Sequence, residues 1–194
     1  MSAVPSETFA ALDLPFITHA FIGSVIYQVP GQKWSSALAR HLIGGWQISG
    51  IFRTTTGVPL VVTQTSTKAG SRPDVVDFPN AYKTGCCDLS NMQYLNPAAF
   101  AAVPISSISR ETIRAGNVGN GAFRGPKYRN LDVSFGKSFT VSGSKTIELR
   151  ADVLNFFNWI NFTTIQTNIT AANFGQAVGT DAARVAQLQI RFAF

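Results

Sequence analysis

Charge is scarce in this chain. Asp, Glu, Lys and Arg make up 13% of its 194 residues, against about 25% in an ordinary soluble domain. Hydrophobic residues stand at 45%, so Ser, Thr, Asn, Gln and Gly, not extra apolar side chains, take the missing places. Long hydrophobic runs are absent too. Nothing approaches the ~18 apolar residues of a membrane helix, which excludes a helical span. Cysteine is confined to the adjacent Cys86 and Cys87. Two thiols cannot build a four-ligand zinc site, and His19 and His41 lie far off in unlike contexts. No metal and no cofactor is therefore expected. Whether the cysteines pair with each other or with chain outside this sequence stays open.

Acidic residues are the scarcer sign, 10 against 16 Lys and Arg, for a net charge of +6. The cations are scattered, with no basic cluster and no basic-aromatic stripe, so nucleic acid is not expected as a partner. Also missing is a charged N-terminal region followed by an apolar stretch, the mark of a secretion signal. Met1 to Thr8 reads as loop instead.

What the chain has is alternation. From Arg184 to Phe194, Ala186, Leu188, Ile190, Phe192 and Phe194 fall on one face, and Gln187, Gln189 and Arg191 on the other. Such a period-two segment is a strand greasy on one side and wet on the other. Its length suits the roughly 9–11 residues that a tilted strand needs to cross a bilayer. Ending such a strand on a large aromatic is characteristic of the closing strand of an outer-membrane barrel. An uncharged outside and a polar inside also fit the composition. A secreted β-sandwich rich in Thr and Asn would share much of it.

Five strands are expected, near 17–30, 44–65, 127–141, 145–158 and 184–194. In the first, apolar residues sit on both faces and the facing stays open; between it and the second, Ser35 to Leu42 suits a short helical turn. The second runs long, with Trp46, Ile48, Gly50, Phe52, Val58, Leu60 and Val62 in one parity, although Gly57 and Pro59 weaken its middle. In the third, Leu131, Val133, Phe135, Phe139 and Val141 oppose Asn130, Asp132, Ser134, Ser138 and Thr140. Lys137 breaks the apolar side and is expected to snorkel from near the strand's end. After a tight turn at Ser142 to Lys145, Leu149 and Val153 oppose Glu148, Arg150 and Asp152. The connections 66–126 and 158–183 are long and aperiodic, whereas 31–43 and 142–145 are short. Barrels place long loops outside the cell and short turns in the periplasm, which is this phase. A connection of sixty residues is rare in a compact soluble domain.

The expected fold is all-β, an antiparallel transmembrane β-barrel segment of about five C-terminal strands, an open curved sheet if alone. Ile48, Phe52, Leu131, Val133, Phe135, Leu149, Val153, Leu188, Ile190 and Phe192 are expected to face lipid. Arg53, Asp132, Glu148, Arg150, Asp152 and Arg191, with Gln47 and Gln187, are expected to face the lumen. Leu188, Ile190, Phe192 and Phe194 together form the expected membrane-assembly signal, Phe194 ending the strand at the periplasmic interface. With no secretion signal, either the export reading is wrong or the chain is the C-terminal piece of something longer; the loop-like opening makes the second the expectation.

Several motifs recur here together: Gly44-Gly-Trp-Gln-Ile-Ser-Gly-Ile51, Arg72-Pro-Asp74, Leu95-Asn-Pro-Ala-Ala-Phe100, Phe123-Arg-Gly-Pro126, Asn130-Leu-Asp-Val-Ser134 and Leu149-Arg-Ala-Asp-Val-Leu-Asn-Phe-Phe-Asn158. The combination, from about residue 17 to the end, resembles the C-terminal barrel region of Oar-like TonB-dependent outer-membrane receptors of the acidobacterial type. That resemblance implies an N-terminal signal, often a carboxypeptidase-regulatory-like domain, a plug and a barrel of about 22 strands. The partners it implies are outer-membrane lipid, the remainder of the barrel and plug, the outer-membrane assembly machinery, and the inner-membrane TonB complex reached through N-terminal parts. It offers no catalytic residues.

No enzyme is expected. Glu148, Arg150 and Asp152, with Asp132 and Arg53, lack a nucleophile or histidine beside them and read better as lumen charges. Trp46, Tyr27, Trp159 and Phe157 suit either sugar stacking or an interfacial girdle. Gly116 to Gly121 lacks the strand-to-helix context of a phosphate loop. Asn161-Phe-Thr163 and Asn168-Ile-Thr170 match the glycan-acceptor pattern, as short Asn/Thr-rich loops often do by chance.

Overall fold

The computed structural model describes residues 18–30, 42–68, 71–86, 91–143 and 145–194. The opening from Met1, the helical turn expected from Ser35, His41 and Cys87 lie outside them. Eleven strands follow in order: β1 (Ala20–Gln28), β2 (Trp46–Thr55), β3 (Pro59–Leu60), β4 (Asp74–Val75), β5 (Phe100–Ala101), β6 (Phe123–Arg124), β7 (Tyr128–Ser142), β8 (Lys145–Leu154), β9 (Phe162–Ile165), β10 (Ala177–Thr180) and β11 (Val185–Ala193). Every pair of these strands is antiparallel. The chain divides into two compact units.

The first unit holds residues 18–56, 127–161 and 181–194. It is a five-stranded sheet in the order β1-β2-β7-β8-β11. Unbroken registers join β1 to β2, β2 to β7 and β8 to β11, and the β7–β8 hairpin shifts only between Thr140 and Ser142. Both long connections leave and re-enter at the end marked by Thr55, Tyr128, Leu154 and Val185. Among the described residues of this unit no second sheet covers either face, which excludes the sandwich.

Asparagine ends β8 earlier than the expected 158. Asn155 adopts φ 52° and Asn158 φ 54°, left-handed conformations that Asn tolerates better than most residues. The Asn155 side chain accepts from Trp159 N–H and donates to Trp159 C=O, both at 2.9 Å. Its backbone N–H donates to Asp132, 2.9 Å away. Asn161, buried, pairs with both backbone groups of Arg129 at 2.8 and 3.0 Å. The first glycan-pattern asparagine is thus buried and engaged with the backbone of β7, not exposed as an acceptor.

The second unit, residues 57–126 and 162–180, is where the expected aperiodic loops meet. They are not structureless. Phe123, Leu95, Ala99, Val62 and Val118, all almost fully buried, form a core with Phe100, Phe162, Ile165, Phe174 and Ala177. Rings close around Phe123: Phe78 at 5.3 Å, Tyr82 at 5.7 Å and Phe100 at 5.2 Å between centroids. Tyr94 donates to the Arg124 carbonyl at 2.8 Å, and burial pushes its phenol up to about 12. Cys86 is disulfide-bonded.

Amides stand in for strands here. Gln64 bonds both backbone groups of Val103 at 2.8 Å, and Asn117 bonds both of Val75 at 2.6 and 3.2 Å. Asn96 caps the 3-10 turn Pro97–Ala99 by accepting from Ala98 N–H. Asp74 takes both guanidinium nitrogens of Arg114 and the Asn117 N–H. The Arg114 contact holds the Asp74 carboxyl below its usual range.

The strand expected over 44–65 stops at Thr55. Backbone meets backbone just beyond it: a Cβ on Gly57 would lie 1.7 Å from the Gly125 carbonyl oxygen. Pro59 and Leu60 then pair with Phe123 and Arg124, and Leu60 and Val62 turn into this unit's core.

Two predictions follow from this packing. Gly175 sits at φ +77° with its Cβ position 2.5 Å from the Leu95 carbonyl oxygen, whereas Gly119 would meet only Ala122 at 3.7 Å. Gly175→Ala should cost this unit about 1–3 kcal/mol and Gly119→Ala little, read as protease cleavage within 57–126. Equal cleavage in both variants contradicts the packing. Because Asp74 is depressed, its contribution is complete above its ordinary value of 3.8 and is lost as pH falls through the lower one. Protease resistance should fall with it at strongly acid pH, and Arg114→Gln should blunt that change.

Candidate functional site

The sheet has two chemically distinct faces, fixed by register. Directly opposed residues share a face, so Tyr27, Ile48 and Phe135 align, as do Gly23, Phe52 and Leu131. Val133 aligns with Gly50 and Val153, and Leu149 with Ile190. Leu188 opposes Ala151, and Phe192 opposes Ile147. Ile48, Phe52, Leu131, Val133, Phe135, Leu149, Val153, Leu188, Ile190 and Phe192 therefore occupy one face. On β11 this face lies open: Leu188 is 87% exposed and Phe192 66%. Phe194 follows one residue after β11 ends and is 99% exposed.

The other face carries Gln47, Arg53, Asp132, Glu148, Arg150, Asp152, Gln187 and Arg191. Glu148 stands opposite Arg191, Arg150 opposite Gln189, and Asp152 opposite both Gln187 and Ser134. Ser134 donates to Asp152, and the Arg150 Nε lies 3.0 Å from each Asp152 oxygen. Asn130 donates to Asp132 at 2.9 Å. Arg150 and Asp152 thus pair within a row of charges of both signs, the arrangement expected of barrel-interior residues. This face is also the hollow one, with a concavity of about 700 Å³ lined by Gln47, Ser49, Ser134, Glu148 and Arg150.

Lys137 departs from the sequence expectation. It is on the apolar face, yet β7 continues to Ser142 and the side chain is only 6% exposed. Instead of snorkelling, its ammonium donates to the Leu42 carbonyl at 3.2 Å, between the rings of Trp46 at 5.5 Å and Phe139 at 5.0 Å. A carbonyl and two ring faces bind the cation locally.

The aromatics gather at two levels. Trp46 and Tyr27 lie toward the short-turn end. Phe52 contacts Trp159 at 6.4 Å near the other end, where Phe157 packs on Trp159 at 4.8 Å. Trp46 and Phe52 are six residues apart on β2, roughly 20 Å at ~3.4 Å per residue. That approaches the ~25 Å apolar band between the two girdles of a membrane barrel. The open facing of β1 is also settled: Phe21, Val25 and Tyr27 join the apolar face, while Ile22 and Ile26 join the polar one beside Ile51. Sequence reasoning missed that isoleucine patch, and the only sign of it was the two-sided apolarity of β1.

A paired substitution tests the faces. Val133→Arg should cost about 2–4 kcal/mol in the inserted protein, and neighbouring Ser134→Arg about 1 kcal/mol or less. Urea unfolding of membrane-inserted protein reads both, and equal costs would contradict the assignment of the faces.

A family model described as outer membrane beta barrel domain matches residues 13–187, most of the chain. No curated protein and no solved structure matches it. An all-antiparallel sheet with one mainly apolar and one mainly polar face agrees with a barrel domain of that description. Its place is the outer membrane, in contact with membrane lipid. The chain belongs to the outer-membrane β-barrel domain family.

Proposed function

We propose that this chain is the C-terminal part of a TonB-dependent outer-membrane receptor of the Oar-like type, working in import of a large nutrient and without enzymatic activity of its own. The apolar face meets lipid and the polar face lines the lumen. One observation carries the reading: among the described residues, β1 and β11 are each paired on one side only. Five strands cannot enclose an interior, since even the smallest barrels use about eight. Within hydrocarbon, unpaired N–H and C=O groups cost several kcal/mol each, so both edges call for further strands. The Arg72, Leu95 and Phe123 motifs add support, because they are the packing elements of the second unit. Further strands, a plug within the lumen, the TonB complex and the assembly machinery are the partners in this reading.

Three experiments bear on it. DNA upstream of the Met1 codon should encode, in frame, a plug and an export signal; a stop codon and promoter directly upstream would remove the receptor reading. Expressed alone without detergent, the chain should aggregate, and a soluble monomer that unfolds cooperatively would contradict the open membrane sheet. In the whole receptor, deleting Phe194 should lower surface levels more than deleting any single residue of 66–126, measured by surface labelling. Unchanged levels would remove Phe194 from assembly.

A further inference from the structure

Carboxylates are not divided between the two faces of the sheet. Asp132, Glu148 and Asp152 all lie on the polar face, with Arg53, Arg150 and Arg191. Among the described residues, the charges on the apolar face are cations only: Arg129, Lys137 and Lys145. Lys127, one residue ahead of β7, and Arg184, one ahead of β11, continue in the same phase at the end where the long connections leave. Among the described residues, that end carries three exposed cations in the apolar-face parity, while its acid Asp181 is turned to Tyr128, a polar-face residue.

Arg129 and Arg184 flank an aromatic platform, and Lys127 is two residues from Arg129 along the chain. The Arg129 guanidinium sits 4.8 Å over the Trp159 ring. Trp159 packs on Phe157 at 4.8 Å, and Phe157 on Phe156 at 5.3 Å. Arg184 closes the row, donating from its side chain to the Phe156 carbonyl at 3.4 Å and from its backbone to Asn158 at 3.1 Å. Neither Arg114–Asp74 nor Arg150–Asp152, the two ion pairs among the described residues, involves Lys127, Arg129 or Arg184.

We propose that this rim is a binding site for the phosphate of an outer-leaflet lipid. Guanidinium forks match phosphate oxygens, and aromatic rings hold at headgroup depth. Phe21 and Phe52, which meet at 6.2 Å on the same face, offer apolar surface to the acyl chains that free phosphate lacks. The proposal rests on the apolar face meeting lipid.

The test uses protein extracted from outer membranes in nonionic detergent, stripped of lipid and titrated with diphosphoryl lipid A. Bound lipid is counted by native mass spectrometry. Each cation removed should weaken binding about fivefold, so the triple variant Lys127→Gln, Arg129→Gln, Arg184→Gln should lose on the order of a hundredfold. Lipid A stripped of its phosphates should bind wild type no better than the intact lipid binds that variant, and inorganic phosphate should not displace the lipid. Unchanged binding by the triple variant overturns the proposal, as does equal binding of the dephosphorylated lipid or displacement by inorganic phosphate. If the triple variant does not insert, Lys127→Gln and Arg184→Gln singly give the same decision. Arg53→Gln and Arg191→Gln on the polar face should leave binding unchanged. If they alone weaken it, the assignment of the faces fails, and not merely the site.

Discussion

A strand in hydrocarbon has nowhere to send its backbone N–H and C=O groups except to another strand. Everything regular in the sheet unit answers to that constraint. The register runs unbroken through β1, β2 and β7, and from β8 to β11, because a slip of one residue would exchange Phe52 for Arg53 and Leu149 for Arg150 on the apolar face. Irregularity is confined to the hairpin tip near Ser142 and the Asn155 turn, at strand ends. The Lys137 ammonium, the one apolar-face cation buried along β7, is bound by a carbonyl and two rings.

The same constraint explains what was legible in the sequence. Period-two alternation is a local signal, and β2, β7, β8 and β11 each show it within their own ten or so residues. The facing of Leu131 against Asp132, or Ile190 against Arg191, needs no knowledge of the neighbour. β1 resisted because Ile22 and Ile26 face the polar side as Phe21 and Val25 face the other. Only pairing with β2 decides between them.

The second unit was illegible for a different reason. Its order comes from pairs far apart in sequence, such as Thr63 with Asn168 and Gln64 with Val103. Its short strand ladders are extended by side-chain amides, and amides at Gln64 and Asn117 leave no periodic trace. Read along the chain they look like loop composition. The RPD, NPAAF and FRGP motifs were visible, but their common role as core and cap emerges only once Asp74, Asn96 and Phe123 are in place.

That second unit draws its core from both long connections: Leu60, Leu95 and Phe123 from one, Phe162, Ile165 and Phe174 from the other. Between those stretches lie β7 and β8. This core thus stays incomplete until the residues that follow the β7–β8 hairpin have joined it. Long loop closure of this kind is slow relative to local folding. In a chain halted before residue 162, Leu95 and Phe123 would lack Phe162, Ile165 and Phe174 as packing partners, so this core cannot close from one connection alone.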